Sequence, residues 1–291
     1  MPAKRVIRLM YALVTRKGTA IAVAVLIAGG LTVLAGAPAV STGAKLQLAQ
    51  AGGSEQRAAT PNNSGPFSAE QKQAIEQIIR DYLIGNPEIL IEVSRELEKR
   101  QAMQQAAEQK RVILEKRDKI FSSPTDFVLG NPNGDITVVE FFDYNCPYCK
   151  RAFSEVMELV KADPNVKVVL KEFPILPPES SMLAAKAAMA ALRQGKYLEF
   201  HTALMQARHI SNEDVFRFAE RVGLDVARLK TDMESPEIDA AIKQTADIAQ
   251  ELGLNGTPVF IVDATVNVGL LRHEDLVQLV NEARKAGCQV C

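Results

Sequence analysis

Residues 136–150 read ITVVEFFDYNCPYCK, from Ile136 to Lys150, and this stretch decides the fold. Ile136 to Phe142 is a nearly continuous β-branched and aromatic run, the pattern of a strand buried on both faces. It leads through Asp143, Tyr144 and Asn145 straight into Cys146. After Cys149, residues Phe153, Val156, Met157, Leu159 and Val160 recur at helical spacing. Asp163-Pro164-Asn165 breaks that helix, and Val166, Val168, Val169 and Leu170 form the next strand. Strand, CxxC, helix and strand in that order predict a parallel pairing of the two strands.

Working outward, Val128-Leu129-Gly130 reads as a short strand, and Asn131 to Asp135 as a turn. Downstream, Pro174, Pro177 and Pro178 interrupt the chain. Ser181 to Gly253 then carries four helical segments: Met182–Leu192, Tyr197–Met205, Val215–Val222 and Ile238–Leu252. Strand character returns at Val259–Val262 and Thr265–Val268, and His273–Ala286 is a last helix. The class is α/β, a sheet with an inserted helical subdomain at about 178–254.

Upstream, Ser68 and Gln71 form a capping box, followed by the apolar stripe Ile75, Ile78, Ile79, Tyr82 and Leu83. Asn86 is expected to cap a second helix with Ile89, Leu90, Val93 and Leu97 on its apolar face. Glu98 to Lys119 is polar and helical, with Glu96/Arg100 and Glu115/Lys119 as supporting pairs. It reads either as a solvated connector or as part of an oligomerisation module. A regular coiled coil is not supported, because Arg100 and Gln104 occupy heptad positions that need apolar residues.

The chain has 291 residues, 47% hydrophobic and 24% charged, with a net charge of −1, so a nucleic-acid partner is not expected. Lys4, Arg5, Arg8, Arg16 and Lys17 precede an uncharged run from Gly18 to Ala39. This pattern predicts a secretory signal peptide or an uncleaved N-terminal anchor, with the remainder exported. The expected domains are 1–51 signal or anchor, 52–66 flexible linker, 67–121 N-terminal helical extension, 122–287 main domain and 288–291 a C-terminal CxxC tail.

Four cysteines form two CxxC pairs, Cys146/Cys149 and Cys288/Cys291. A thiol at a helix N-terminus faces unsatisfied N–H groups, which stabilise its anion. Cys146 is therefore expected to be an exposed nucleophile and Cys149 a buried resolving thiol, in a loop stiffened by Pro147 and completed by Tyr148. No cofactor beyond a redox-active Cys146–Cys149 disulfide is expected. A zinc site built from all four cysteines is the competing reading.

Thr257-Pro258 precedes a strand, where a cis bond is cheap and an unpaired backbone would be open to an extended substrate. Glu140 lies within the apolar strand. It reads as a group that tunes the cysteines or transfers protons, or as a carboxylate partly solvated or paired with Lys171. Cys288/Cys291 reads as a pair exchanging with the first, as a ligand pair for a soft metal such as copper(I), or as an exposed tail disulfide. His201, His209 and His273 stand singly and are expected to be structural.

Phe141 to Lys150 (FFDYNCPYCK), Phe173-Pro174-Ile175-Leu176 and Gly256-Thr257-Pro258 together resemble the bacterial DsbA-like family, over roughly Phe127 to Gly287. The resemblance implies a thioredoxin-like fold with a helical insertion, periplasmic thiol–disulfide exchange and a cis Pro258. It also implies catalytic roles for Cys146 and Cys149, and it places Glu140 at the family's buried acid. The expected function is forming or isomerising disulfides in unfolded or misfolded exported proteins, with a membrane or periplasmic redox partner. The alternative is copper handling through thiols. Cys-Pro-Tyr-Cys with Thr257 is similar to the isomerase-like members that carry an N-terminal extension, which implies a homo-oligomer through 67–121. The second CxxC departs from the family pattern.

Overall fold

The computed structural model describes residues 66–177 and 179–291. The expected signal or anchor and residues 52–65 of the expected linker lie outside the described residues. One mixed sheet contains β1 (Phe127–Gly130), β2 (Ile136–Phe142), β3 (Val166–Glu172), β4 (Val259–Val262) and β5 (Thr265–Val268), in the order β1-β3-β2-β4-β5. Central β2 runs parallel to β3 and antiparallel to β4, and all seven of its residues are buried. This explains the unbroken apolar reading of its sequence.

Alternation along the strands divides the core between the two faces of the sheet. Val138 and Phe142 join Val168, Leu170, Phe260 and Val262 on the first face. That face carries α4 (Pro147–Ala162), α10 (His273–Ala286) and the insertion, α5 (Ser180–Leu192) to the first half of α9 (Pro236–Glu251), whose Ile248 and Ala249 instead join the core of the other face. Val139 and Phe141 join Val169, Val259 and Ile261 on the second face. The insertion holds five helices rather than four: α6 (Tyr197–Gln206) and α7 (Asn212–Arg221) are followed by α8 (Val226–Met233). α8 has only two buried apolar residues, Leu229 and Met233, too few for a clear stripe.

The N-terminal extension begins with α1 (Ala69–Gly85), closed by the expected Ser68–Gln71 capping box. Asn86 does not cap the next helix. Its side chain donates back to Tyr82 O at 2.9 Å, terminating α1 instead. α2 (Glu88–Glu115) and the short α3 (Arg117–Phe121) follow. Arg100 pairs with Glu96, but Glu115 pairs with Arg111, because the helix breaks at Lys116 before Lys119 comes within reach. Val112, Ile113, Ile120 and Phe121 are buried against the second face. The boundary expected at 122 therefore falls inside the core, which recruits the end of the extension. α1 has no buried residue, and Ile78, Tyr82, Ile84, Leu90, Val93 and Leu97 are all more than half exposed.

Candidate active site

β2 ends at Phe142, and the next four residues turn the chain into α4 with Cys146 as its N-cap and Pro147 at the first helical position. Asp143 builds this turn. Its backbone carbonyl accepts from Cys146 N at 3.1 Å. Its carboxylate accepts from Asn145 N, Ser181 Oγ and Leu176 N. The Asn145 side chain donates to Ser180 Oγ and accepts from Ile210 N. The loop bearing the nucleophile is thus fastened to the segment after β3 and to the insertion.

Cys146 and Cys149 are free thiols. The expectation of an exposed Cys146 is corrected: it is only 3% exposed. Its thiol lies against the segment preceding β4 and donates to Thr257 O at 3.2 Å. Pro147 and Tyr148, on the outside of the turn, are the exposed members. The Thr257–Pro258 peptide bond is cis. Cys146 has its pKa lowered to about 5, chiefly by the hydrogen bond from the Cys149 thiol. Burial opposes this, while the Thr257 side chain and the backbone N–H groups of Cys149 and Tyr148 support it. Thr257 Oγ1 is buried without a partner while Cys146 is a thiol, so ionisation of Cys146 supplies the acceptor this hydroxyl lacks. Cys149 is fully buried, and burial drives its pKa far upward, keeping it a thiol.

Glu140 is neither solvated nor paired with Lys171. It is 3% exposed and lies on the first face of β2, with Val138 and Phe142. Lys171 stands opposite Phe141 and so points to the other face, where it pairs with Asp126 and donates to Lys119 O. Glu140 Oε1 has no hydrogen-bond partner. Burial, reinforced by negative charge at Cys146, raises its pKa to about 8.

A second buried polar group was not evident in the sequence. Tyr144 OH donates to Glu172 Oε1 at 3.0 Å and lies 2.8 Å from His201 Nδ1. Tyr197 OH donates to the same carboxyl oxygen at 2.8 Å. Burial raises the Glu172 pKa well above the usual carboxylate range and lowers that of His201 to about 3, so His201 is neutral at pH 7. These residues come from the active-site loop, β3 and α6, and only folding assembles them. His201 is structural, as expected.

Cys288 and Cys291 form a disulfide. Of the three readings of this pair, the structure has the tail disulfide, but the tail is not exposed. Both cysteines are half-buried, Val290 between them is 1% exposed in the second core, and Gln289 N donates to Asp263 Oδ1 at 2.8 Å. Direct exchange with the first pair of the same chain does not fit this arrangement. Cys146 touches Thr257 before β4, whereas Cys288 lies 3.4 Å from Asp263 after it. At roughly 3.3 Å per strand residue, the six steps from Thr257 to Asp263 put these ends on the order of 20 Å apart. The same separation rules out a zinc ion shared by all four cysteines, and no group of three metal-binding side chains occurs among the described residues. No helix among them is long and apolar enough to cross a membrane.

Residues 137–281 match the family model of the DSBA-like thioredoxin domain, and residues 71–104 match that of the copper resistance protein ScsC N-terminal domain. The structure is similar to a thioredoxin-like oxidoreductase from Silicibacter pomeroyi, with 52% identity and a TM-score of 0.57, covering 59% of this chain and 99% of that one. It is also similar to the thiol-disulfide exchange protein alpha-DsbA2 from Wolbachia pipientis, with 27% identity and a TM-score of 0.56, covering 61% and 96%. Among curated proteins, the Na(+)/H(+) antiporter NhaA 3 of Salinispora tropica is 32% identical over 160 residues, 54% of this chain. The chain spans about a quarter of the length of that relative, 24%. With its strand–CxxC–helix core, its helical insertion and these matches, the chain belongs to the DsbA-like thioredoxin family of thiol–disulfide oxidoreductases.

Proposed function

We propose that this protein forms or isomerises disulfide bonds in exported proteins through the Cys146–Cys149 pair, in the periplasm. The observation that carries this reading is the placement of Cys146. It caps α4, has a lowered pKa and touches the backbone before Pro258. A substrate thiolate attacks Cys146 Sγ of the oxidised pair and breaks the Cys146–Cys149 bond, and Cys149 leaves with the electron pair. Cys149 ends as a thiol, and the buried carboxyl of Glu140, which holds its proton near neutral pH, supplies that proton. A second substrate thiolate attacks the substrate sulfur of the mixed disulfide and expels Cys146. Its low pKa makes it a good leaving group. Two electrons thus pass from the substrate to the pair, and an envelope redox partner removes them. Thr257 and Pro258 present backbone for an extended, unfolded substrate.

Replacement of Cys146 by Ser should slow oxidation of a reduced, unfolded substrate protein by at least about two orders of magnitude. Undiminished activity would sink the proposal. The apolar faces of α1 and α2 fit self-association through 67–121, which sedimentation of the full chain at several concentrations would test. The match of 71–104 to a copper-resistance domain supports a second reading, in which reduced Cys146 and Cys149 hold copper(I) between two soft thiolates. Competition for copper(I) against a chromophoric chelator, lost in a Cys146→Ser/Cys149→Ser variant, is its expected signature.

A further inference from the structure

Lys150 stands in an unfavourable place by local rules. It lies in the first turn of α4, where the helix dipole disfavours a cation. An exposed lysine would relieve this by reaching into water. Lys150 instead turns its ammonium into a half-buried site, where it donates to Leu204 O at 3.1 Å and Ala207 O at 2.6 Å. Both carbonyls belong to the C-terminal end of α6, the negative end of that helix's dipole. The insertion therefore supplies what α4 denies, a seat for a positive charge beside the CxxC. Lys150 follows Cys146 by one helical turn, its backbone N–H donating to Cys146 O at 3.1 Å, so the two side chains start from the same face of α4, and the acidic groups at this end are Asp143, Cys149 and Cys146. The Asp143 carboxylate is already occupied by Asn145, Ser181 and Leu176, and Cys149 stays a thiol. Of the three, the sulfur of Cys146 is the one whose charge changes during the reaction.

We propose that Lys150 is a positioning residue for the thiol–disulfide reaction, its ammonium held by the carbonyls of α6 so that its charge favours the thiolate of Cys146. The proposal rests on the reading of Cys146 as the nucleophile. It gives the helical insertion a part in the chemistry, because α6 holds the charge even though none of its side chains touches Cys146 among the described contacts. The groups acting on Cys146 itself are Cys149, Thr257, the N-terminal N–H groups of α4 and the buried Glu140, so Lys150 adds to a field already set by neighbours at closer range.

The test is the pH profile of iodoacetamide alkylation at Cys146 in the reduced full chain, read by mass spectrometry. Three variants separate charge from anchoring. Lys150→Met removes both, Lys150→Gln keeps amide donors for the two carbonyls but removes the charge, and Lys150→Arg keeps the charge. The expected result is that Met and Gln both shift the alkylation midpoint to higher pH, with roughly threefold or greater loss of thiolate at pH 5, and that Arg restores the parent profile. If Lys150→Gln titrates like the parent, the charge has no part and the proposal fails, whatever Lys150→Met does. Folding of each variant is checked by its far-ultraviolet spectrum, and Gln decides should Met not fold. Alkylation is read on Cys146 directly, so failure here is distinct from a Cys146→Ser variant that keeps its activity.

Discussion

The two CxxC pairs share a spacing and little else. Cys146 stands where a buried strand delivers the chain to a helix N-terminus, among N–H groups, a thiol and a hydroxyl that all favour its anion. Cys288 stands beyond the C-terminal end of α10, with the Asp263 carboxylate 3.4 Å from its sulfur. A bonded sulfur carries no hydrogen, so this is a contact and not a hydrogen bond. On reduction the carboxylate would keep Cys288 a thiol, because it disfavours the thiolate. A disulfide is easily reduced when its thiolate is stabilised and resistant when it is not. The motif therefore does not decide the chemistry; the partial charges around the first sulfur do.

The largest expected difference is in reduction potential. Equilibration against glutathione should reduce Cys146–Cys149 at a potential at least about 60 mV more oxidising than Cys288–Cys291, a hundredfold in equilibrium constant. Equal potentials would break the comparison. A smaller effect should follow from removing the tail disulfide. Cys288→Ser/Cys291→Ser is expected to keep thiol-exchange activity while losing about 2 kcal/mol of stability in denaturant, as the closure of so short a loop implies. Unchanged stability would mean that Val290 holds the tail without the crosslink.

The smallest effect is one of pH. The Cys146 pKa is depressed in the folded state, so its thiolate stabilises the reduced protein fully above the unfolded thiol pKa, and this contribution is lost as pH falls toward about 5. Reduced protein should exceed oxidised protein in stability at pH 7, and the gap should narrow as pH approaches 5. A gap that stays constant over this range would show that Cys146 does not ionise in it.

The first pair was legible because its context is continuous in the chain: β2, the turn and α4 follow one another within residues 136–162. Thr257-Pro258 was legible from the proline. Glu140 was readable as a buried acid, but the lack of a partner for its Oε1 was not. Lys171 looks adjacent in the pairing of β2 and β3, yet an offset of one residue puts it on the opposite face. The Tyr144–Glu172–Tyr197–His201 group escaped because its members come from three separated segments, and no local period joins them. The Asp225 side chain accepting from Arg228 N marks the start of α8, a capping signal that a search for apolar stripes passes over. The burial of the tail was not legible because Val290, lone in a short polar sequence, gives no sign of the core it joins.

α2 carries a consequence of its own. It is one uninterrupted helix of 28 residues, with exposed apolar side chains near its start and Val112 and Ile113 buried under the sheet near its end. A helix transmits phase: each residue turns the chain by about 100° and advances it by about 1.5 Å. Deleting one exposed residue such as Gln104 would swing the stripe around Leu90 and Leu97 by more than a quarter turn, without touching the core or the cysteines. The length of α2, counted in single residues, is thus an angular setting that fixes which way the extension faces relative to the catalytic domain.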